Sequence, residues 1–299
     1  MTADAAAAHC YRSPQLGPAR MVAVRAGEIR VFERGRGPAV VFAHGWFANA
    51  NLWRKVVGRL ADGHRCIVLD LPLGAHATPV DPDADLAPPG VGAIIIEAIE
   101  ALGLENVTLV GNDSGGAYAQ IGIAAHPDRI ARLVLASCET PDDEFPPPPF
   151  TNLPKAAQSL DFLKAAMQGL RTHEGRMQPG AFGRLVKHPI EEKIFDAYAL
   201  PAIEDDRILH DIAKAMRSAS ASHVRKAADI LTSRFLKPVL FAWAADDPVF
   251  PLAHARAYAG KFADARVALI EDAFSFTAED QPERLAGLIA AFIAETPLS

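Results

Sequence analysis

Three cysteines, Cys10, Cys66 and Cys138, are all that 299 residues carry. So sparse, odd and widely spaced a set offers neither a disulfide framework nor a zinc knuckle. Basic excess is missing too: 30 Lys+Arg against 36 Asp+Glu leave a formal net charge of −6, so no positive field draws nucleic acid or an anionic lipid surface. The apolar runs are interrupted by charge before they reach membrane-spanning length, so no membrane partner is expected. The alanine-rich start, MTADAAAAHCYRSPQLG, lacks the basic n-region and sustained apolar core of a secretory signal. No GxGxxG turn, P-loop or metal-ligand cluster occurs, so neither a cofactor nor a metal is expected. What is present is a 50% hydrophobic, 22% charged chain, with apolar mass for a sizeable core. A cytoplasmic globular protein with a small-molecule substrate is the expectation, as a monomer or a homodimer.

Its length allows two domains, or one large domain with an insertion. Residues 1–20 read as a flexible N-terminal arm. Residues 21–24 and 29–32 then read as a hairpin around Ala26-Gly27-Glu28. Short apolar runs at 39–43, 66–69, 107–110 and 133–136 read as strands covered on both faces. Between them, Leu52, Trp53, Val56, Val57 and Leu60, and later Val91, Ile94, Ile95, Ala98 and Ile99, follow helical spacing. A small-residue helix spans 115–125. Past residue 140 the pattern changes: prolines 146 to 149 break the chain, and 152–234 reads as helices only. Strand character returns at 238–243 and 266–270, around a helix near 252–262, and a last helix carries Leu285, Leu288, Ile289, Phe292 and Ile293. The expected fold class is α/β, a doubly wound, mostly parallel sheet. Residues 21–140 and 236–299 form its core domain and 141–235 an inserted helical cap, placed over the strand ends where such sheets bind ligands.

The chemistry is expected at Val110-Gly111-Asn112-Asp113-Ser114-Gly115-Gly116, between a strand and a helix. A sharp turn there forces its central residue into a strained conformation and wants small residues two places to either side. Gly111 and Gly115 make Asp113 the centre, in a G-x-D-x-G pattern. A register centred on Ser114 would put Asn112 where glycine is wanted. Upstream, His44-Gly45-Trp46 directly follows a strand. Such a turn supplies a backbone N–H that joins the N–H after the nucleophile to hold developing negative charge, which names Trp46 and Ser114. Downstream, Asp246-Asp247-Pro248 follows another strand. Asp247 is either an orienting acid or a helix-capping residue.

With these segments in this order, the chain resembles the α/β-hydrolase fold, and within it the aspartate-nucleophile branch of haloalkane dehalogenases and epoxide hydrolases. The segments that carry the resemblance are FAHGWFANANLWR, RCIVLDLPLG, IEALGLENVTLVGNDSGG and FTAEDQPERL. The helical insertion matches in position only. The resemblance implies that Asp113 attacks carbon to give an ester that water later cleaves. It implies that Asp247 is the acid after the penultimate strand, and that Glu139 is the acid some dehalogenases place one strand earlier. His44 is expected to play a structural part beneath the oxyanion turn.

The chain also departs from that pattern. Ser275-Phe276-Thr277-Ala278-Glu279-Asp280 stands where the family has its catalytic histidine, so Ser275 occupies the base position, and no histidine follows His254. A serine cannot take a proton from water near neutrality. Trp46 and Ser114 sit where dehalogenases present Asn and Trp to a halide, and Tyr198 is the only tyrosine of the insertion. Phe274 and Phe276 flank the base position and are expected to line the pocket. The acidic run Asp142-Asp143-Glu144 reads as a solvated edge, and Cys138 as a small buried hydrophobe. The activity expected from the resemblance is hydrolysis of a small, neutral, apolar substrate. Two alternatives stand beside it: a lyase, isomerase or cyclase using Asp113 as a base, and a ligand-binding protein that has lost turnover.

Overall fold

The computed structural model describes residues 10–298. Eight strands form one sheet in the order β1-β2-β4-β3-β5-β6-β7-β8. They are β1 (Ala19–Val24), β2 (Gly27–Arg34), β3 (Ala39–Ala43), β4 (Arg65–Asp70), β5 (Val107–Asn112), β6 (Ile130–Ala136), β7 (Val239–Ala244) and β8 (Ala265–Ile270). The pairs β1·β2 and β2·β4 are antiparallel, and every other pair is parallel. Every residue of VTLVGN, IARLVLA and VLFAWA is buried, because helices cover both faces of a parallel sheet. The edge strand β8 is only partly covered.

Helices α1 (Arg54–Leu60), α2 (Pro88–Ala101) and α3 (Ser114–Ala125) link the early strands. The stripe Val91, Ile94, Ile95, Ala98 and Ile99 is buried as its spacing requires. Between β6 and β7 the regular elements are all helices, joined by turns and irregular stretches. Its longer elements are α4 (Leu160–Met167), α5 (Glu192–Ala199), α6 (Asp206–Arg217) and α7 (Ala221–Arg234). Then follow α8 (Leu252–Ala259) and α9 (Pro282–Glu295). No helix among the described residues is long and apolar enough to cross a membrane.

Two local expectations are corrected. Of the supposed loose arm, residues 1–9 lie outside the described residues, but the stretch from Tyr11 to Leu16 is packed. Arg12 makes an ion pair with Asp70 at 2.8 Å with both side chains buried. The Ser13 N–H donates to Asn51 Oδ1 at 2.8 Å, and Leu16 is fully buried. Composition hid this, because one buried arginine and one leucine anchor a segment that alanine counts label as loose. The second correction is Asp143, read as solvated. It is buried, accepts from the Thr140 N–H at 2.8 Å and pairs with His254 Nδ1 at 2.7 Å.

Candidate active site

The site begins with one strained residue. Asp113 joins β5 to α3 with φ 52° and ψ −145°, a left-handed conformation that a non-glycine residue avoids at a cost of about 1–3 kcal/mol. The turn holds because its neighbours are small. A Cβ on Gly111 would stand 2.6 Å from Gly116 Cα, and one on Gly115 would stand 2.5 Å from the Ala43 carbonyl. The Asp113 N–H donates to the Ser137 carbonyl at 3.0 Å, and its carbonyl accepts from the Gly116 N–H at 2.7 Å.

The side chain faces a cavity of about 360 Å³, walled by core and insertion together, with Trp46, Phe47, Phe150, Leu163, Met167 and Phe182 among its lining. Among the described residues, Asp113 and Glu139 are the only ionisable side chains on that wall, and no histidine, lysine or arginine lies on it. Burial pushes the Asp113 carboxyl up to about 7. The Ser114 backbone N–H draws it down, and the negative charge of Asp247 adds to the rise. Glu139 is 1% exposed, and burial followed by the Asp113 charge holds its carboxyl well above the usual carboxylate range.

A Cβ on Gly45 would sit 2.3 Å from Asp113 Oδ2 and 2.8 Å from Ser114 Oγ. The turn after β3 thus leaves a methyl-sized gap that the carboxylate fills. Gly45→Ala is expected to push Asp113 off its position and slow its alkylation by a bromoalkane ~100-fold or more, with the fold intact. Intact-mass kinetics beside a circular dichroism spectrum would measure this, and labelling as fast as in the natural protein would refute the placement.

The expected oxyanion donors are arranged differently from the sequence reading. The Trp46 backbone N–H donates to Ser114 Oγ at 2.9 Å, so that donor is already engaged. The Trp46 indole N–H is engaged too, donating to the Tyr118 hydroxyl at 2.7 Å. His44 lies wholly buried beneath the turn, where its Nε2 accepts from the Leu71 N–H at 2.9 Å and its Nδ1 lies 2.9 Å from the Gly45 carbonyl. Burial depresses its pKa to about 4, so it stays neutral and structural.

Behind the cavity wall, Ser275 Oγ donates to Asp247 Oδ1 at 2.8 Å. That oxygen also accepts from the Val249 and Phe250 N–H groups, at 2.9 and 3.0 Å. Asp247 therefore ties the loop after β7 and does not cap the following helix, whose N-cap is Pro251. Its carboxyl is nonetheless raised, by burial, against the pull of those donors, and Oδ2 is buried without a partner. Neither Asp247 nor Ser275 is among the residues lining the cavity.

Phe274 is corrected: it is not on the cavity wall, and its ring lies under the Lys187 ammonium at 5.8 Å. Phe276 backs the wall instead of lining it, 6.4 Å from the ring of Phe182. The insertion's Tyr198 donates to Glu279 Oε1 at 3.0 Å and is likewise off the wall. Four histidines of the insertion and its surroundings are engaged with carboxylates: His76 with Asp211, His173 with Glu192, His188 with Asp272 and His254 with Asp143; His210 and His223 of the insertion are off the wall as well. Sequence reasoning missed Tyr118, whose position one helical turn after Ser114 was the available signal. It also missed Phe145, stacked on Trp46 at 5.6 Å, and the wall residues Pro146 and Pro147, read only as a chain break.

Known proteins resemble this arrangement. Residues 38–282 match the model of the family described as alpha/beta hydrolase fold. A cis-3-alkyl-4-alkyloxetan-2-one decarboxylase of Xanthomonas campestris pv. campestris is 26% identical over 88% of this chain and 90% of its own length. A haloalkane dehalogenase of Agrobacterium fabrum is 32% identical over 36% of this chain and 35% of its own. The crystal structure of the haloalkane dehalogenase DatA from Agrobacterium tumefaciens superposes with a TM-score of 0.79 at 19% identity, covering 96% of this chain and 100% of that one. An elbow glycine pattern, a mostly parallel eight-stranded sheet and a family match over most of the length agree: the chain belongs to the α/β-hydrolase fold family.

Proposed function

We propose that this α/β-hydrolase-fold enzyme is a lyase, in which Asp113 attacks carbon in a small, uncharged, apolar substrate with a strained ring. Elimination, not water, then frees the carboxylate. The observation that carries this reading is a carboxylate at a sharp strand-to-helix turn, facing an apolar cavity on whose wall no histidine lies among the described residues. A carboxylate opens a strained ring without help from a base, but an ester on Asp113 needs activated water for hydrolysis. Ser275, hydrogen-bonded to Asp247 behind the wall, is no such base. Hydrolysis, which the sequence resemblance favours, is therefore less well supported than elimination on this reading.

A β-lactone meets every condition, and an oxetan-2-one is the ring named in the nearly full-length Xanthomonas relative. Asp113 Oδ bonds to the ring carbon bearing oxygen, and the C–O bond breaks with its electron pair passing to the ring carboxyl, which becomes a carboxylate. That carboxylate then leaves as carbon dioxide. The electrons of its C–C bond form the alkene, and the ester bond returns its pair to Asp113. No water is consumed and no net proton moves. A neutral substrate suits a wall without cations, and the ionised Asp113 would repel an anion.

Halide release finds less support, because both N–H groups of Trp46 are already engaged. Epoxide opening by tyrosine acids finds less still, with Tyr198 tied to Glu279. The test is incubation with a short-chain cis-dialkyl β-lactone and gas-phase analysis of products. Alkene and carbon dioxide over many turnovers, absent in Asp113→Asn, are the expected result. A 3-hydroxy acid as the product would instead establish hydrolysis and overturn the lyase reading.

A further inference from the structure

We propose that Glu139 is the acid of this site: it donates a hydrogen bond, and where needed its proton, to the substrate oxygen on which negative charge collects as Asp113 attacks. This rests on the nucleophilic reading of Asp113 given above. The first observation is what the site lacks. The backbone N–H of Trp46, half of the usual oxyanion arrangement, is taken up by Ser114 Oγ, and the Trp46 indole serves Tyr118. Of the other polar side chains on the wall, Gln178 donates to the Glu174 carbonyl, which leaves the Ser114 hydroxyl and Glu139.

The second observation is the state of Glu139 itself. It follows β6 and lies on the same wall as Asp113. Its Oε2 is buried with no hydrogen-bond partner, and no ion pair to it occurs among the described residues. The ionisable groups that act on it or feel its charge are Asp113, Asp143, Tyr118 and Cys138, of which not one is a cation. Its own backbone N–H draws the carboxyl down, but no counter-charge stands by, and an anion so placed in an apolar wall is costly. The neutral acid is favoured, on a wall it shares with Asp113. In the resemblance drawn from sequence, an acid at this position would orient a histidine; without one, the same carboxyl serves the substrate directly. A neutral carboxylic acid held as a donor by an apolar site is a known device for meeting an oxyanion.

The step balances. In an epoxide, Asp113 Oδ bonds to carbon and the C–O pair passes to the ring oxygen. That oxygen takes the Glu139 proton to become an alcohol, and Glu139 regains a proton from solvent. In a β-lactone the departing carboxylate only accepts the hydrogen bond, and Glu139 keeps its proton.

Two probes separate the roles, both read as added mass on Asp113 in the full-length protein. Styrene oxide needs an acid for its oxygen, whereas 1-bromohexane releases halide and needs none. Glu139→Leu is expected to slow labelling by styrene oxide ~100-fold and to leave bromohexane labelling within about threefold, which also certifies the fold and the nucleophile. Glu139→Gln keeps a neutral donor, so styrene oxide labelling stays within about tenfold of the natural protein. Its rate no longer falls at alkaline pH, where Glu139 would ionise. Infrared spectra at pH 8 should show a protonated carboxyl C=O band that disappears in Glu139→Gln and persists in Asp113→Asn. Equal slowing of both probes by Glu139→Leu assigns a merely structural role and overturns the proposal, as does absence of that band. If neither probe labels the natural protein, the Asp113 reading fails, and the infrared band still decides the state of Glu139.

Discussion

Replacing Asp113 with asparagine is expected to abolish alkylation and turnover, by ~10⁴-fold or more, and at the same time to make the folded protein more stable at pH 8. The two effects share one cause. The strained turn and the apolar wall hold a carboxylate where an anion is poorly solvated, and burial raises its pKa from 3.8 to about 7. The native state therefore keeps the proton that the unfolded chain has already released. Below pH 3.8 both states are protonated and no penalty exists. As pH rises through about 7 the native state must ionise an unfavourable site, so stability falls across that window. A shift of this size corresponds to at most about 4 kcal/mol at pH 8. Asparagine has the same shape without the charge. Urea unfolding of both proteins from pH 4 to 8 should show a gap that is small at pH 4, widens steadily to about pH 7 and levels off above it. The same titration predicts that alkylation of the natural protein rises with pH through about 7. A gap that stays constant, or a less stable variant at pH 8, would remove the claim that the site holds its nucleophile at an energetic cost.

Ser275→His is expected to convert a stalled ester into a hydrolysed one. Ser275 Oγ already donates to Asp247 Oδ1 at 2.8 Å, and Asp247 Oδ2 is buried without a partner. An imidazole there would find an acid ready to fix its tautomer, as the orienting acid of a triad does. General base assistance is worth about 10²–10⁴ in rate, so release of the bromohexane ester should accelerate by that order, and bromide should exceed one equivalent per chain. The larger ring enters a fully buried position, so a loss of about 1–3 kcal/mol in stability is also expected. A variant that folds, labels on Asp113 and still accumulates the ester would show that Asp247 no longer serves this position.

The strands and the sharp turn at Asp113 were legible because their signals are local. Runs such as AVVFA and VTLVGN read as doubly covered strands whatever surrounds them, and the glycines around Asp113 betray a turn that no other residues tolerate. The serine at 275 was visible for the same reason, being one residue in a recognisable segment. Contacts across the fold were not legible. Phe274 was assigned to the pocket from its neighbour in sequence, yet its backbone turns the ring toward Lys187. Residues 11–16 were dismissed on composition, although Arg12 meets Asp70 across the molecule.

Taken alone, the amino-acid order determined the parallel sheet, the helical stretch inserted between two strands, and an acid at the sharpest bend. Hydrophobic period and backbone sterics act over a few residues and are written in them. Only the tertiary structure decided that Glu139 and Asp113 share one apolar wall without a counter-charge, that Ser114 takes the Trp46 N–H, and that no histidine among the described residues lies on that wall. Charge, solvation and hydrogen-bond satisfaction depend on what the folded chain brings within a few ångströms, and sequence distance carries no record of it.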